Sequence, residues 1–521
     1  MSNNLARHLY LSSVEQPRRL ALSVGGCAIS YGALARFGRV IAGWLLAAGG
    51  GRAGRVGVLA GRSVGAYAGV VGSCWAGATY VPLGLNWPAE RLIATLALVR
   101  LDALIIDAEA ALLLTPQVLD ACPKAILLAD PFAGGLYGAR FQSMAALADP
   151  VGLAPVPLSS DHIAYIMFTS GTTGVPKGVQ VGLGAITHHL RVIQELYRFT
   201  ADDRMSLALE LTFDPSILNM FMAWNVGASL HVLSRPELSM PISFIQDHEL
   251  SVWTSAPTVI GLLMRLGVLE QGALPRLRVS IFGGETLTLE AATVWQRAAP
   301  DSTIDNVYGP TELTIECLYQ RLTDPPVVTP ERECLAVGLP FAGNVAAILD
   351  QGLNFLPAGQ AGELAVAGPQ LAAGYLDQPE LSAARFPMID GTRWYLTGDK
   401  AYRDGEGRFH LVGRCDDQIK VRGYRVEPGD VESHLRQVCG TELVAVVAWP
   451  FANGGAIGTV GFVAGNGGET ELSAREIHAA LERRLPGYMV PQAIRRIAAL
   501  PVTQHGKVDR KALVAMLEGE G

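Results

Sequence analysis

Short apolar runs alternate with Ala-rich or amphipathic stretches between about residue 20 and residue 340 of the chain. This alternation is typical of βαβ units, in which helices cover a largely parallel sheet. A proline-containing connection from Met144 to Asp161 is expected to join two such subdomains. The β-branched runs predict strands at Val56–Leu59, Ala103–Asp107, Ala125–Leu128, Met205–Leu209, Leu230–Leu233, Val252–Ser255 and Val279–Phe282.

The pattern changes after about residue 340, where short β runs are separated by Gly, Pro and Asp turns. These runs predict an antiparallel or barrel-like subdomain with strands at Val345–Leu349, Glu363–Val366, Trp394–Thr397 and Arg408–Val412. A small α+β unit follows, with predicted helices and strands at Val431–Arg436, Leu443–Ala448, Thr459–Val463 and Ala474–Leu485. We therefore expect an α/β fold. Its large N-terminal domain, residues 1–415, would combine two βαβ-type subdomains with parallel-rich sheets and the small β-barrel-like subdomain, and residues 416–521 would form a small C-terminal α+β domain.

One uncharged stretch, from Ser63 to Ala89, is long enough to span a bilayer. Several glycines and two prolines interrupt it, so we expect a buried helix, Ala66–Ala76, that leads into a buried strand, Thr79–Val81. The polar N-terminus lacks the apolar region of a signal peptide, and no membrane partner is expected.

Composition and charge narrow the class of protein. Half of the residues are hydrophobic and only 17% are charged, which favours a globular chain with a large interior. The net charge of −7 argues against a nucleic-acid partner. The seven cysteines are scattered without metal-site spacing, and their odd number fits reduced thiols in the cytoplasm.

Candidate chemistry begins with the stretch Thr169–Gly178, which follows the apolar run Ile163–Phe168. Its glycines let backbone N–H groups converge on an anion, its hydroxyls add neutral donors, and Lys177 adds a positive charge. This combination suits a polyphosphate, although Pro176 and Gly178 beside the lysine depart from the Walker A pattern. The alternative is a Gly/Thr-rich surface loop with a solvated lysine.

A second stretch, Gly413–Glu427, is dense in charged residues and in residues that break regular structure. It lies at the expected domain boundary, near Asp416. Charged hairpins are common on protein surfaces, so this stretch taken alone favours an exposed hairpin.

Further motifs follow in order along the chain: Phe213-Asp-Pro-Ser216, Gly283-Gly-Glu285, Asn306-Val-Tyr-Gly-Pro-Thr-Glu312, Tyr395-Leu-Thr-Gly-Asp399 and a closing Leu500-Pro-Val-Thr-Gln-His-Gly-Lys-Val-Asp-Arg-Lys511. With Thr169–Gly178, this ordered set resembles the adenylate-forming superfamily, which contains acyl-CoA synthetases, luciferases and the adenylation domains of nonribosomal peptide synthetases. The resemblance covers nearly the whole chain. Such enzymes join a carboxylate to the α-phosphorus of ATP and release pyrophosphate.

The resemblance implies ATP and Mg²⁺ as cofactors and a set of residues that hold the nucleotide. Tyr308 would stack on adenine with Asn306 as its hydrogen-bond partner, and Asp399 would accept from both ribose hydroxyls with the help of Arg414. The phosphates and the rest of the nucleotide would lie against Thr169, Ser170, Gly171, Thr172, Thr173, Gly174, Lys177, Gly283, Gly284, Glu285, Gly309, Thr311 and Lys507.

The implied catalytic residues are Lys177, Glu312 and Lys507. Glu312 would hold Mg²⁺, a hard cation that takes one carboxylate plus phosphate oxygens. Lys507 would contact the substrate carboxylate and the phosphate, and since it lies on the small domain, that domain is expected to be mobile and to close for adenylation. The hinge is expected at Asp416, and a rotated arrangement would bring Gly423–Arg425 toward the site for thioester formation.

Asp214 favours an amino acid as the substrate, because in amino-acid-activating members this aspartate pairs with the substrate ammonium. A buried carboxylate without such a partner would be costly. The implied pocket is mostly aliphatic, which suggests a small or medium side chain such as that of alanine or serine. Glu316 leaves two alternatives open: it pairs with a second ammonium or a hydroxyl if it faces the pocket, and it is uninformative if it faces solvent. The implied pocket residues are Asp214, Pro215, Leu218, Thr254, Ile281, Gly283, Val307, Ile315, Glu316 and Lys507.

We expect an ATP-dependent, AMP-forming amino-acid ligase that loads the phosphopantetheine thiol of a separate carrier protein, as in nonribosomal peptide or related secondary-metabolite biosynthesis. No carrier unit follows the closing motif, and coenzyme A is the less favoured acceptor. One alternative is an acyl- or aryl-CoA synthetase, against which Asp214 argues. The other is a non-catalytic homologue that binds a nucleotide or a partner protein, against which the presence of Lys177, Glu312, Asp399 and Lys507 argues.

Overall fold

The structure is a computed structural model. It describes residues 4–130, 141–169, 176–421, 423–452, 455–465, 472–502 and 508–518. The described α-helices are Arg7–Glu15, Tyr31–Ala48, Val64–Trp75, Ala89–Val99, Ala108–Ala111, Pro116–Ala121, Leu183–Tyr197, Pro215–Asn225, Arg235–Ser239, Pro241–Asp247, Thr258–Leu266, Leu289–Ala298, Pro379–Arg385, Pro428–Cys439, Ala474–Glu482 and Arg510–Glu518. Short 3₁₀ turns lie at Met144–Ala146, Thr311–Leu313 and Pro330–Arg332.

The first sheet has a row of parallel strands with antiparallel strands at both edges. Its parallel strands are connected through helices, as the alternating pattern predicts. In spatial order the strands are Leu339–Pro340, Leu318–Arg321, Thr303–Tyr308, Val279–Gly283, Val252–Ser255, Arg204–Leu207, Ser229–Val232, Leu20–Val24 and Cys27–Ser30.

The second sheet is also parallel-rich, and its antiparallel strands lie together at one edge. The uncharged stretch forms the fully buried helix Val64–Trp75 and the buried strand Thr79–Leu83, as predicted. In spatial order the strands are Gly374–Tyr375, Lys177–Gly182, Ile163–Thr169, Thr79–Leu83, Arg55–Leu59, Ala103–Ile106, Ala125–Leu128 and Gln142–Ser143.

One hydrophobic core joins the two sheets through the helices between them. The helices Tyr31–Ala48 and Val64–Trp75 approach closely at Gly38 and Gly72. A Cβ at either glycine would lie 2.5 Å from a side-chain carbon of the other helix, so only glycine allows this packing. The sheets are therefore held at fixed positions, and so are the strand ends that carry the candidate site.

An antiparallel sheet follows, with strands Val345–Leu349, Gly362–Ala367, Thr392–Arg403, Met388–Ile389 and Phe409–Arg414. The strand Thr392–Arg403 is much longer than the predicted Trp394–Thr397 because it pairs with a neighbouring strand on each side. A separate C-terminal part has its own cores. One of its sheets has the strands Tyr424–Val426, Ile419–Val421, Gly455–Ala456 and Phe451–Ala452, and the other has Val444–Ala448, Thr459–Ala464 and Ala493–Ile497. Outside this part, the strands Val328–Thr329 and Cys334–Leu335 form a separate two-stranded sheet. The predicted mixed α/β fold with parallel-rich sheets and a separate C-terminal domain is confirmed.

Candidate active site

The predicted substrate residues meet at the carboxyl edge of the first sheet. Thr254 pairs in register with Ile281, and Gly283 pairs with Val307. Side chains alternate between the two faces along a strand, and residues paired across parallel strands point to the same face. These four positions therefore share one face, and that face is covered by the helix Pro215–Asn225, whose Leu218 contacts the same cavity as Thr254 and Ile281.

Asp214 directly precedes this helix, whose first residue is Pro215, a residue suited to a first helical position. The Asp214 carboxyl group is buried, and its Oδ2 atom has no hydrogen-bond partner within the described residues. Burial raises the pKa of Asp214 to about 7, the nearby Thr311 hydroxyl opposes this rise, and the charge of Glu312 adds to it. A buried carboxylate in this state gains from a cationic partner.

A cavity of about 10 Å³, room for one water molecule, lies between this helix and the sheet. Leu218, Thr254 and Ile281 line it, as the resemblance implies. The space beside these three predicted pocket residues is therefore small. The remaining lining residues, which sequence reasoning missed, are Ile193, Phe199, Met205, Ser206, Asn219, Met222 and Val252.

The opposite face of the sheet carries a cluster of predicted nucleotide residues. The Tyr308 hydroxyl donates to Asp399 Oδ2 at 2.6 Å, and Arg414 Nη1 donates to Asp399 Oδ1 at 2.8 Å. Asn306 Nδ2 donates to the Ala336 carbonyl at 2.8 Å, which makes the other end of the amide the acceptor. That Oδ1 atom is buried and has no partner among the described residues. The cluster therefore offers an aromatic ring, a carboxylate and an open acceptor side by side.

Further predicted nucleotide residues lie at two strand ends. Gly283 ends its strand and is followed by Gly284 and Glu285, and Gly309 and Thr311 follow the strand that ends at Tyr308. Gly284 has φ +82°, a conformation that glycine adopts at low cost. A Cβ at Gly309 would lie 2.5 Å from backbone atoms of the chain that folds back over it. Both strand ends therefore hold backbone close to the cluster.

Lys177 opens the strand Lys177–Gly182, and its prediction as part of a loop is wrong, because it pairs with Thr169 across the sheet. The alternative of a solvated lysine is also wrong, since Lys177 is buried. Burial lowers the pKa of Lys177, while Glu427, whose Oε1 atom lies 3.4 Å from Nζ, raises it. Six residues of the predicted phosphate loop lie outside the described residues: Ser170, Gly171, Thr172, Thr173, Gly174 and Val175.

Glu312 lies fully buried in the 3₁₀ turn Thr311–Leu313. The Tyr375 hydroxyl donates to its Oε1 atom at 2.8 Å, and Arg425 Nη1 donates to its Oε2 atom at 2.9 Å. Burial opposes ionisation, yet the charge of Arg425 and the Tyr375 hydrogen bond outweigh it and lower the pKa of Glu312. Glu312 is therefore a buried carboxylate that already binds a cation.

The stretch Gly413–Glu427 contains an antiparallel hairpin, as that interpretation has it, but the hairpin is exposed only in part. Val426 and Glu427 are buried, and Arg425 and Glu427 bind site residues of the large domain. The Tyr424 ring lies 4.8 Å from Phe213 and 4.0 Å from Tyr488. Tyr424 and Arg425 thus contact residues at the candidate site, and the expected rotation stays a prediction. Asp416, the predicted hinge, accepts from Arg414 Nε at 2.6 Å, and Lys507 lies outside the described residues.

Ile315 and Glu316 are buried, so Glu316 faces the protein interior and the solvent-facing alternative is wrong. His189 and Gln370, which sequence reasoning missed, lie beside it. Both come from distant parts of the chain, and His189 sits in an amphipathic helix whose pattern gives no sign of a polar role.

Residues 11–376 match the family model described as AMP-binding enzyme, and residues 430–507 match the model described as AMP-binding enzyme C-terminal domain. Phosphinothricin tripeptide synthetase PhsC of Streptomyces viridochromogenes is 35% identical over 463 residues, which cover 86% of this chain and 39% of that protein. Tyrocidine synthase 3 of Brevibacillus parabrevis is 30% identical over 524 residues, which cover 98% of this chain and 8% of that protein. The chain thus spans less than half the length of either relative.

Among solved structures, the chain is similar to the Vibrio cholerae adenylation domain AlmE in complex with glycyl-adenosine-5'-phosphate. The TM-score is 0.87 at 28% identity, and the match covers 100% of this chain and 98% of that one. In the part of the chain that the structure describes, no helix has the length and apolar character needed to cross a membrane.

Proposed function

The chain belongs to the family of AMP-binding enzymes within the adenylate-forming superfamily, and we propose that it activates an amino acid. The proposed reaction joins the amino-acid carboxylate to the α-phosphorus of ATP, releases pyrophosphate and yields an aminoacyl-adenylate. The aminoacyl group then passes to the phosphopantetheine thiol of a carrier protein.

The observation that carries this proposal is the buried Asp214 carboxylate, whose Oδ2 atom has no partner among the described residues. A substrate ammonium would supply the missing positive charge, whereas a fatty or aryl acid would leave the carboxylate unpaired and desolvated. The similarity to AlmE, whose structure contains glycyl-adenosine-5'-phosphate, and to a tripeptide synthetase supports an amino acid.

The residues on the opposite face of the sheet fit a nucleotide. The Asn306 Oδ1 atom, which has no hydrogen-bond partner among the described residues, suits the amino group of adenine. The Tyr308 ring beside it suits stacking on the base. Asp399 is already fixed by Tyr308 and Arg414, so its oxygens are oriented to accept from ribose hydroxyls.

Glu312 and Lys177 would hold the charged end of the nucleotide. Glu312 is a hard oxygen donor for Mg²⁺, which when bound neutralises phosphate charge. Lys177 would orient the departing pyrophosphate. In the structure these two residues are bound by Arg425 and Glu427, so the C-terminal domain supplies a cation where Mg²⁺ would lie and an anion where phosphate would lie. The presence of Arg425 and Glu427 at these places supports a domain arrangement that follows pyrophosphate release. It thus supports a second, thioester-forming step.

The pocket favours a small side chain, because Leu218, Ile281 and their neighbours leave a cavity of only about 10 Å³. We propose alanine or serine as the size class. The thiol acceptor that we propose is carrier-bound phosphopantetheine, in line with the similarity to a tripeptide synthetase, and coenzyme A is the acceptor to test against it.

Amino-acid-dependent ATP–pyrophosphate exchange tests the proposal across a panel of amino acids, fatty acids and aryl acids. We expect exchange with small amino acids and its loss in Asp214→Asn. Asp202→Asn is the matched control, because the Asp202 side chain is 93% exposed. Exchange driven by fatty or aryl acids, or equal activity in wild type and Asp214→Asn, would contradict the proposal.

A further inference from the structure

Glu316 and His189 are two buried polar side chains close to Asp214. Neither has a role in the proposed binding of the ammonium group or the nucleotide. Their exposed fractions are 5% and 0%. The His189 Nε2 and Glu316 Oε2 atoms lie 3.9 Å apart, too far for a hydrogen bond. Neither atom has a hydrogen-bond partner among the described residues. Two buried polar atoms thus lie next to each other, each without a hydrogen bond among the described residues.

Gln370 determines which ring nitrogen of His189 carries the proton. The Gln370 Nε2 atom lies 2.6–3.4 Å from three backbone carbonyl oxygens, and its Oε1 atom accepts from Asn344 at 2.6 Å. Nε2 is therefore the donor, and His189 Nδ1, which lies 3.1 Å from it, is the acceptor. The imidazole then carries its proton on Nε2, which points at Glu316. Burial lowers the pKa of His189 to about 3, which keeps the ring neutral.

The chemistry of these two atoms selects one kind of group. A group beside them has to accept from His189 Nε2–H and to hydrogen-bond with the Glu316 carboxyl, as donor to the ionised form and as acceptor from the protonated form. A hydroxyl does both, an ammonium has no lone pair with which to accept, and a methyl group does neither. Burial raises the pKa of Glu316 to about 8, and the charge of Asp214 adds to this rise, so at neutral pH the carboxyl holds a proton and needs no second cation. A hydroxyl fits this carboxyl in either protonation state.

The pair borders the proposed substrate pocket. Ile315, which precedes Glu316, brings its backbone N–H close enough to Asp214 to lower the pKa of that carboxyl. His189 lies one helical turn before Ile193, which lines the cavity. In a small α-amino acid, only two carbons separate the ammonium from a side-chain hydroxyl, so the hydroxyl stays close to an ammonium bound at Asp214.

We propose that Glu316 and His189 recognise a side-chain hydroxyl, and that the substrate is a small hydroxy amino acid such as serine. Glu316 and His189 act as specificity-determining residues, and Gln370 is a positioning residue that acts through His189. This inference rests on the proposed amino-acid activation and names its substrate class.

Exchange kinetics of the wild-type enzyme test the inference with analogues that change one property at a time. O-methylserine accepts but cannot donate, 2,3-diaminopropionate donates but cannot accept, and alanine and 2-aminobutyrate do neither. We expect kcat/KM for serine to exceed that of each analogue by about 10-fold to 100-fold, because a buried polar group left unpaired carries a large cost. Equal or higher kcat/KM for alanine overturns the inference.

Two variants add a readout that a merely structural role would not move, the ratio of serine to alanine activity. Glu316→Met keeps the side-chain length, and His189→Phe keeps a ring beside Phe341. Each is expected to lower the ratio of kcat/KM for serine to kcat/KM for alanine about 10-fold or more. His188→Gln is the control, because His188 points to the Ala342 carbonyl instead. Parallel losses for both amino acids overturn the inference.

Binding to the wild-type enzyme keeps the inference testable if the variants fail to fold. By calorimetry we expect the sulfamoyl-adenosine analogue of serine to bind about 10-fold tighter than that of alanine. Equal binding overturns the hydroxyl site while leaving amino-acid activation intact. Exchange with no amino acid at all would instead refute the proposed function, and the substrate class with it.

Discussion

Replacement of Asp214 by asparagine removes one buried charge with little change in shape. In the wild type the pKa of this carboxyl is raised by burial from 3.8 to about 7. The folded state therefore holds a proton that the unfolded chain releases near pH 4. The stability from Asp214 is fully present below that pH and is lost as the pH rises through about 7. The asparagine variant has no such loss.

The magnitude follows from the shift. A rise of roughly three pKa units corresponds to about 4 kcal/mol, at about 1.4 kcal/mol per unit. Relaxation around buried charges reduces such values, so we expect about 2–4 kcal/mol. The free energy of unfolding of Asp214→Asn relative to wild type should rise by this amount between about pH 4.5 and pH 8.

Urea unfolding followed by tryptophan fluorescence measures this difference across the pH range for both proteins. Asp202→Asn, a change at an exposed carboxylate, controls for the loss of a negative charge. Relative to ATP and Mg²⁺ alone, a saturating small amino acid should further stabilise the wild type at pH 8 and have little further effect on Asp214→Asn. Parallel pH profiles for the two proteins would refute the claim that Asp214 is buried without a cationic partner.

Further predictions concern the size of the substrate pocket and the roles of Arg425 and Lys507 in the two reaction steps. Met222→Ala removes part of the cavity wall and should raise ATP–pyrophosphate exchange with larger amino acids such as leucine at least about 10-fold relative to serine. If the order of exchange rates across the amino-acid panel stays unchanged, the assignment of this cavity to the substrate pocket is contradicted. Arg425→Ala, which removes the cation at Glu312, should slow thioester formation more than about 10-fold and spare adenylation, as measured by carrier loading and by exchange. Lys507→Ala should do the reverse, and loss of only the second step in that variant would contradict the assigned role.

The strands were predictable because their signal is local. Runs such as Val252–Ser255 and Val279–Gly283 are β-branched or aromatic and end at turns, and both lie where the pattern predicts them. Lys177 was misplaced because a lysine next to proline and glycine reads as a loop, while its pairing with Thr169 depends on a strand that the pattern does not link to it.

The polar contacts of the site were not predictable, because they join distant parts of the chain. Arg425 and Glu312 are 113 residues apart, and Gln370 and His189 are 181 apart. From the sequence alone, each of these residues can be interpreted as an ordinary charged surface residue or an ordinary core residue. The resemblance supplied Asp214 and Glu312 as candidates, but only the tertiary structure brings His189 to Glu316 and fixes its tautomer.

The most direct test compares acids that differ only in the ammonium group. Serine and alanine are each offered with ATP and Mg²⁺ beside 3-hydroxypropionate and propionate, and the adenylate products are quantified by mass spectrometry. The account predicts aminoacyl-adenylates from the amino acids and at least about 100-fold less product from the acids without nitrogen, because Asp214 would remain unpaired. Equal or greater adenylate formation from 3-hydroxypropionate or propionate would contradict it.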